Sequence, residues 1–409
     1  MSTVLATFAV LKDHVKLRVT QDSVAIDNIV FKLHYRVTFL ILLIGCLLCT
    51  SRQLIGDHIK CIFDNEEKTL GHVIDTFCFF TSTFTISKYM NATAVELGHI
   101  PHPGVGSQSP EDEVVHHAYY QWVPFVLFFQ ALLFYVPHYL WRSAEGGRLK
   151  VLVSGLQMAS LCLRDEQLDL GNGKSIPSKS DREEKIQIIR NAFLNRLHAN
   201  RPWAYYLGLC EVLNFMNVLT QIYLTNWFLG GAFLNLGSLL TQADDTDWNR
   251  KMTPLDIVFP KVTKCTFHKY GPSGSIQRHD ALCVMALNIV NEKIYAFLWF
   301  WFIILAIITG LGLVWRILTM VLHARSIRFN RWVFSLACPG RYNPWNVLRV
   351  THEYHFGDWL FLYYIAKNLD NYVFKELLEQ LAHDMEDRRA SRPKPRLSTL
   401  DEEEPFKQA

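Results

Sequence analysis

Nine cysteines are spread over 409 residues, and four of them fall in a pattern that could do chemistry. Cys61 and Cys78 lie between the first and second long apolar stretches; Cys265 and Cys283 lie between the third and fourth. Thiols in polar segments that reach an oxidising compartment form disulfides. Four cysteines allow three pairings, and each bond would contribute ~2–4 kcal/mol to segments with little core of their own. Cys46, Cys49, Cys162, Cys210 and Cys338 lie in the apolar stretches or the opposite polar segments and read as free thiols in packing roles. His99, His102, His116 and His117 are the other ligand-type residues, but their spacing matches no metal motif. The alternative reading is that external protons act on them, histidine being the side chain that switches charge near neutral pH. No Ser-His-Asp order, phosphate loop or intramembrane carboxylate pair is present, so no enzyme, cofactor or metal centre is expected.

The elements that must position these cysteines are apolar. Half the residues are hydrophobic, yet mean hydropathy is only +0.09, so long membrane segments must be diluted by polar loops. Four spans are expected: 35–55, 118–141, 203–229 and 294–315. The first has a charge-free centre, Val37 to Ser51, that is short for the ~20 residues a bilayer needs, but Arg36 and Arg52 can snorkel. The second carries no Lys, Arg, Asp or Glu, the third only Glu211, and the fourth none between Lys293 and Arg316. No cleavable signal peptide is visible, so span one would act as an uncleaved anchor.

Basic residues set the expected orientation. Arg142, Arg148 and Lys150 follow span two; Arg190, Arg196 and Arg201 precede span three; Arg316, Arg325, Arg328 and Arg331 follow span four. No Lys or Arg occurs between Lys88 and Arg142, or between Arg201 and Arg250. The middle loop, the C-terminal region and, with an even span number, the N-terminus are expected in the cytoplasm. The sequon Asn91-Ala92-Thr93 then falls outside, as an N-glycosylation acceptor should.

Loop 56–117 holds nine acids and three bases, a field that would gather cations near a pore mouth; Asp57 stands directly at the end of span one. In loop 230–293, Lys261 to Tyr270 and Ile276 to Leu287 read as strands around the turn Gly271-Pro272-Ser273-Gly274. In the middle loop, Ser180-Asp181-Arg182-Glu183 fits a capping box, with Ile186, Ile189, Phe193 and Leu197 on one face and a flexible connector, Gly171 to Ser180, before it. Gly357 to Glu386 reads as a helical block. Arg388 to Ala409, rich in Pro, Ser and charge, reads as disordered. Ser391 follows Arg388-Arg389-Ala390, as basophilic kinases prefer, and a phosphate there would reverse the local charge. Val4, Phe8, Leu11 and Val15 give the N-terminal segment one apolar face, which suits a helix on the inner leaflet or folded into a pore. Pro124 is expected to kink span two and Pro137 to mark its end. Glu211, Asn214 and Asn217 share a face of span three that would line a pore or pack between subunits.

The run Tyr119-Tyr120-Gln121-Trp122-Val123-Pro124, entering span two, resembles the hallmark of the innexins, specifically the arthropod ones. Phe259-Pro260-Lys261-Val262-Thr263-Lys264-Cys265-Thr266-Phe267, Asn291-Glu292-Lys293-Ile294-Tyr295, the aromatic stretch Phe297-Leu298-Trp299-Phe300-Trp301-Phe302 and Gly357-Asp358-Trp359 are similar to further stretches of that family. The resemblance covers about residues 20–380. Two cysteines per outer loop fit innexins and the related pannexins; connexins carry three.

The resemblance implies an all-α membrane protein: a four-transmembrane-helix bundle subunit with a small disulfide-braced α/β extracellular domain and a helical cytoplasmic domain. It implies bonds Cys61–Cys283 and Cys78–Cys265, and a pore funnel lined by the N-terminal segment (Val4, Phe8, Lys12) with Asp57 further out. It implies a homo- or hetero-oligomeric ring with other innexins, commonly of eight subunits, in contact with membrane lipids and docked to an identical or related ring on an adjacent cell. No nucleic acid is expected as a partner. The expected organisation is 1–34, N-terminal segment; 35–55, first span; 56–117, first outer loop; 118–141, second span; 142–202, helical cytoplasmic loop; 203–229, third span; 230–293, second outer loop; 294–315, fourth span; 316–387, C-terminal helical region; 388–409, tail. The expected function is a plasma-membrane gap junction channel passing ions and small molecules between cells. Its alternatives are an undocked hemichannel releasing small molecules such as nucleotides, and a non-conducting adhesion or scaffold protein.

Overall fold

A computed structural model describes residues 24–55, 59–62, 68–154, 156, 168–169, 175–176, 178–197, 199–238, 252–340, 346–347, 350 and 355–391. In chain order, α1 is built from Ile29–Lys32, a π-helical turn Leu33–Thr38, and Phe39–Ile55. Then come β1 (Lys60–Ile62), α2 (Lys68–Thr81), β2 (Thr83–Ile86), α3 (Ala92–Glu96), β3 (Val114–His117), α4 (Val123–Glu145) and α5 (Arg148–Val153). The two-residue strands β4 (Leu168–Asp169) and β5 (Ser175–Ile176) precede α6 (Lys179–Asn195) and α7 (Arg201–Phe228). The chain continues through β6 (Val262–Tyr270), β7 (Ile276–Val284), α8 (Ala286–Leu322), α9 (Ile327–Ala337), α10 (Phe356–Asn368) and α11 (Asn371–Ser391).

Four helices among the described residues are long and apolar enough to cross a membrane: Ile29–Gln53, Val123–Glu145, Arg201–Phe228 and Ala286–Leu322. The last has 37 residues, so at ~1.5 Å per residue it is far longer than a ~30 Å hydrocarbon layer. The uncharged run 294–315 is therefore its middle, not its extent. Span one likewise starts earlier than its hydropathy suggested. Asn28 caps it by accepting from Phe31 N at 2.8 Å, which satisfies one of the orphan donors of the first turn.

The two prolines of the second span exchange roles relative to the sequence reading. Pro124 is the second residue of α4, where a missing N–H costs nothing, so no kink arises there. Pro137 is interior, and the helix continues to Glu145; it leaves the Leu133 carbonyl without its usual donor rather than ending the helix.

The chain divides into two compact units. One holds residues 27–143 and 207–315. Its bundle core is Leu42, Leu127, Ala131, Phe134, Val218, Phe233, Tyr295, Leu298, Phe302 and Leu305 with their neighbours. Exposed Phe125, Leu132, Leu209, Ile304 and Leu311 cover the outer faces of these helices. The same unit holds an antiparallel five-stranded sheet of order β1-β7-β6-β2-β3. The β6–β7 hairpin pairs Val262 with Val284 through Tyr270 with Ile276. Its turn closes at Gly274, whose φ of +81° suits glycine. Strands were legible here, but α2, lying within the first loop, was not.

The other unit holds residues 1–26, 144–206 and 316–409. Glu145 caps α5, accepting from Gly147 N and Leu149 N, each at 2.7 Å. The start of α6 lies two residues before the expected box: Ser178, not Ser180, accepts from Asp181 N at 3.2 Å. Ile186, Ile189 and Phe193 are buried as a stripe, joined by Leu194, while Leu197 falls beyond the helix and is half-buried. Arg182 pairs with Glu376 at 3.3 Å and Arg190 with Asp384 at 3.2 Å, joining α6 to α11. The expected single block 357–386 is two helices, broken at Leu369-Asp370, and α9 was not anticipated. Helix α11 runs on to Ser391, so 388–391 are helical rather than disordered. Arg and Ala favour helix, and Pro393 biases Arg392 against it. The remainder of the tail lies outside the described residues, as does Gly171 to Lys174 of the expected connector.

Candidate functional site

Four sulfurs build the site. Cys61 on β1 stands opposite Cys283 on β7 in register, and the two are joined. Cys78, in the last turn of α2, is joined to Cys265 on β6. Both bonds are buried in a small core with Ile59, Ile74, Tyr120, Ala281, Met285 and Leu287. Each bond links one polar segment to the other, across 222 and 187 residues of chain. Cys61, Cys78 and Cys283 sulfurs lie close enough to suggest a metal cluster, but every one is spent in a disulfide, so no thiolate remains to ligate. Among the other cysteines, Cys46, Cys49, Cys210 and Cys338 are not in disulfides; Cys162 lies outside the described residues.

The Tyr-Tyr-Gln-Trp run explains itself here. The last carbonyls of α2 have no intrahelical partner, and Ser82 breaks the helix with φ of +106°. Tyr120 Oη donates to the carbonyls of Cys78 and Phe79 at 3.4 and 3.2 Å, and Gln121 Nε2 donates to those of Phe79 and Phe80. Tyr119 Oη donates to the Val258 carbonyl at 3.2 Å. The motif thus caps the cysteine-bearing helix and fixes it over the entry to the second span. Trp122 is exposed, as an aromatic at a membrane interface would be.

Two further motif stretches meet each other. Asn288 Nδ2 donates to the Pro260 carbonyl at 2.9 Å. Lys261 reaches Asp256 at 2.9 Å and buried Glu292 at 3.4 Å. Burial alone would pull the Lys261 ammonium down, but the two carboxylates hold it above its ordinary pKa. Glu292 also holds Lys293 at 2.8 Å. This cluster ties the base of the β6–β7 hairpin to the start of α8.

The acids of the first loop are not all a free field. Asp75 accepts from Cys61 N at 2.7 Å, and Asp112 accepts from Ser109 N at 2.8 Å while facing Lys88 at 3.6 Å. Glu96, Glu111 and Glu113 are exposed. Asp57 and the N-terminal residues Val4, Phe8 and Lys12 lie outside the described residues.

The histidines do not converge. His117 is buried in β3 with Nε2 2.8 Å from Thr85 Oγ1, while its neighbour His116 is exposed, as alternation in a strand requires. His99 and His102 are exposed in the loop after α3. Burial, with His116 adding to it, lowers His117 to about 4, so its ring is neutral at physiological pH.

Glu211 and Asn214 are buried inside this chain's own bundle, which corrects the expectation that they line a pore or an interface between subunits. Asn28 Nδ2 donates to Glu211 Oε1 at 2.8 Å. Asn28, Glu211, Asn214, Thr309 and Gly312 surround a small cavity, and Thr309 in turn bonds His34 at 2.9 Å. Asn217 is half-buried and accepts from Gln221 at 3.2 Å. No charge marks the other side of this contact, which is why sequence spacing alone missed it.

Asn91 is exposed and N-caps α3, its Oδ1 accepting from Thr93 N at 3.1 Å. In the second unit, Gly357-Asp358-Trp359 docks α10 on the start of α7. Asp358 accepts from Asn200 Nδ2 at 2.9 Å, a Cβ on Gly357 would meet the Arg201 backbone at 2.9 Å, and buried Trp359 packs among Phe334, Phe356 and Tyr363. Ser391 is exposed at the end of α11.

Comparison with known proteins agrees with the residues above. The family profile described as Innexin matches residues 27–385. Innexin inx7 of Drosophila melanogaster is 50% identical over 381 residues, covering 92% of this chain and 84% of that protein. Innexin inx2 of Schistocerca americana is 46% identical over 368 residues, covering 89% and 95%. Innexin shaking-B of Drosophila melanogaster is 36% identical over 382 residues, covering 93% and 94%.

Proposed function

The chain belongs to the innexin family, whose members form gap junction channels, and we propose that it is a subunit of one. In this reading a ring of copies, alone or with other innexins, surrounds an aqueous path through the plasma membrane. The ring docks to a ring on the neighbouring cell and passes ions and small molecules.

One observation carries the proposal: two disulfides bind the segments between spans one and two and between spans three and four into a single sheet with a buried core. Disulfides persist on the oxidising side of a membrane, so the sheet faces outward. The basic residues after spans two and four then lie in the cytoplasm, as the positive-inside rule requires, and both termini lie with them. A rigid outward rim is what docking needs, because loops ordered beforehand lose little freedom on contact. The exposed hairpin end, with Tyr270 and Ile276, is available for it. The pore funnel is assigned to the N-terminal segment with Val4, Phe8 and Lys12, and Asp57 to the pore beyond span one. The excess acid of the first outer loop favours cations at its mouth.

Paired cells expressing the chain test this by junctional conductance and dye transfer. Asn91 favours a second reading, an undocked hemichannel releasing small molecules. It is an exposed sequon on the outward module, and a glycan there would obstruct ring-to-ring contact. Dye uptake into single cells, with no coupling between pairs, would select that reading. Contact without any conductance, even alongside a companion innexin, would select a scaffold.

A further inference from the structure

We propose that Ser391 is the phosphoacceptor of a basophilic serine/threonine kinase and that its phosphorylation melts the last turn of α11. Two guanidinium groups stand three and two residues before it, Arg388 and Arg389. Such planar forks are what carboxylates in a kinase groove bind in two-pronged fashion.

Access comes from the packing. Met385 is the last buried side chain of α11, and Glu386, Asp387, Arg388, Ala390 and Ser391 are exposed. The ion pair that fastens the helix to α6, Arg190 with Asp384, lies nearly two turns earlier. The described side chains past Met385 are exposed rather than packed, and such helix ends open at little free-energy cost. By sequence, Pro393 disfavours helix at the residue before it. The segment can therefore extend into a kinase cleft while the rest of α11 stays docked.

The chemistry balances with Mg-ATP as co-substrate. Ser391 Oγ attacks the γ-phosphorus, the new O–P bond forms, and the bond from phosphorus to the bridging β–γ oxygen breaks. ADP leaves, and the hydroxyl proton passes to the kinase base.

The same hydroxyl explains the consequence. Ser391 Oγ lies 2.8 Å from the Asp387 carbonyl and 3.1 Å from that of Arg388, and its proton serves both. A phosphate ester has no proton to give, so these carbonyls would face oxygens carrying negative charge. The helix C-terminus is itself the negative end of the dipole, and the Asp387 side chain, four residues back, shares the face. Arg388, three residues back, acts the other way. Unwound chain lets Arg388, Arg389 and Arg392 all reach the phosphate, which makes melting the favoured response. The chemistry stands apart from the channel reading; only its use as regulation rests on the cytoplasmic placement proposed above.

The test uses detergent-purified full-length protein with a basophilic kinase catalytic subunit and Mg-ATP. Phosphate should map to Ser391 by fragment mass spectrometry and be absent in Ser391→Ala. Arg388→Ala with Arg389→Ala should lower kcat/KM about tenfold or more, as loss of charge-assisted hydrogen bonds does, with thermal midpoint unchanged. Amide exchange over 387–391 should quicken on phosphorylation, with 371–384 unaltered. Phosphate only on Ser398 or Thr399, or none, would overturn the site; phosphate on Ser391 with unchanged exchange would overturn the melting. Neither outcome touches the channel reading, because the assay involves no pore.

Discussion

Acidification should loosen the edge of the five-stranded sheet through His117. The strand that carries it, β3, is the last in the sheet order and pairs only with β2 among the described strands. In the closed sheet His117 has its pKa lowered to about 4, chiefly by burial and secondarily by His116. When β3 separates from β2 the ring returns to water and to ~6.5. Between these two values the open form binds a proton that the closed form refuses, so the number bound is larger in the open state and stability falls as pH falls. The contribution is whole above pH ~6.5 and lost progressively toward pH ~4. From pH 7 to pH 5 the loss comes to about 1.8 kcal/mol, a roughly twentyfold rise in opening. Hydrogen exchange of the amides in Thr83–Ile86 and Val114–His117, corrected for the intrinsic pH dependence of exchange, measures it directly. His117→Gln keeps a polar partner for Thr85 but does not titrate, so its protection should be flat across this range. Equal pH slopes in both proteins, or no slope in either, would refute the assignment.

Three other outcomes are expected. Replacing Cys78 and Cys265 together by alanine should cost about 2–5 kcal/mol and lower the thermal midpoint of the oxidised protein; an unchanged midpoint would mean the module holds without that bond. Gly357→Ala should cost about 1–3 kcal/mol, because its methyl group would press on the Arg201 backbone rather than on a movable side chain; thermal unfolding in detergent checks it. A docked channel predicts that glycosidase treatment leaves the mobility of surface protein unchanged; a shift that Thr93→Ala abolishes, with Asn91 kept as a helix cap, would select the hemichannel reading instead.

Much of this was legible in residue types. Long apolar runs with few or no charges located all four spans, because a bilayer tolerates little else, and Gly271 to Gly274 located the hairpin turn. The hydropathy limits were poor guides to helix ends, since α8 continues well past the hydrocarbon on both sides. Helix α2 was hidden because its interrupted apolar pattern sits inside a loop otherwise read by charge. The meaning of Tyr120 and Gln121 was also hidden: they cap a helix some forty residues away, a long-range fact that no local pattern encodes. Glu211 misled for a related reason. A lone carboxylate in a span suggests water, but its partner is the amide of Asn28, far off in the chain and uncharged. Pro124 and Pro137 show that a proline's effect depends on its place in the helix, which boundaries set and sequence gives only within a few residues.

Junctional conductance between paired cells, first with this chain alone and then with a companion innexin, reaches the centre of the account. Coupling that appears with the protein at the shared border, and disappears when Cys61, Cys78, Cys265 and Cys283 are replaced although the protein still reaches that border, is the predicted result. Border protein that never couples in either condition, or coupling indifferent to the loss of all four cysteines, would contradict it.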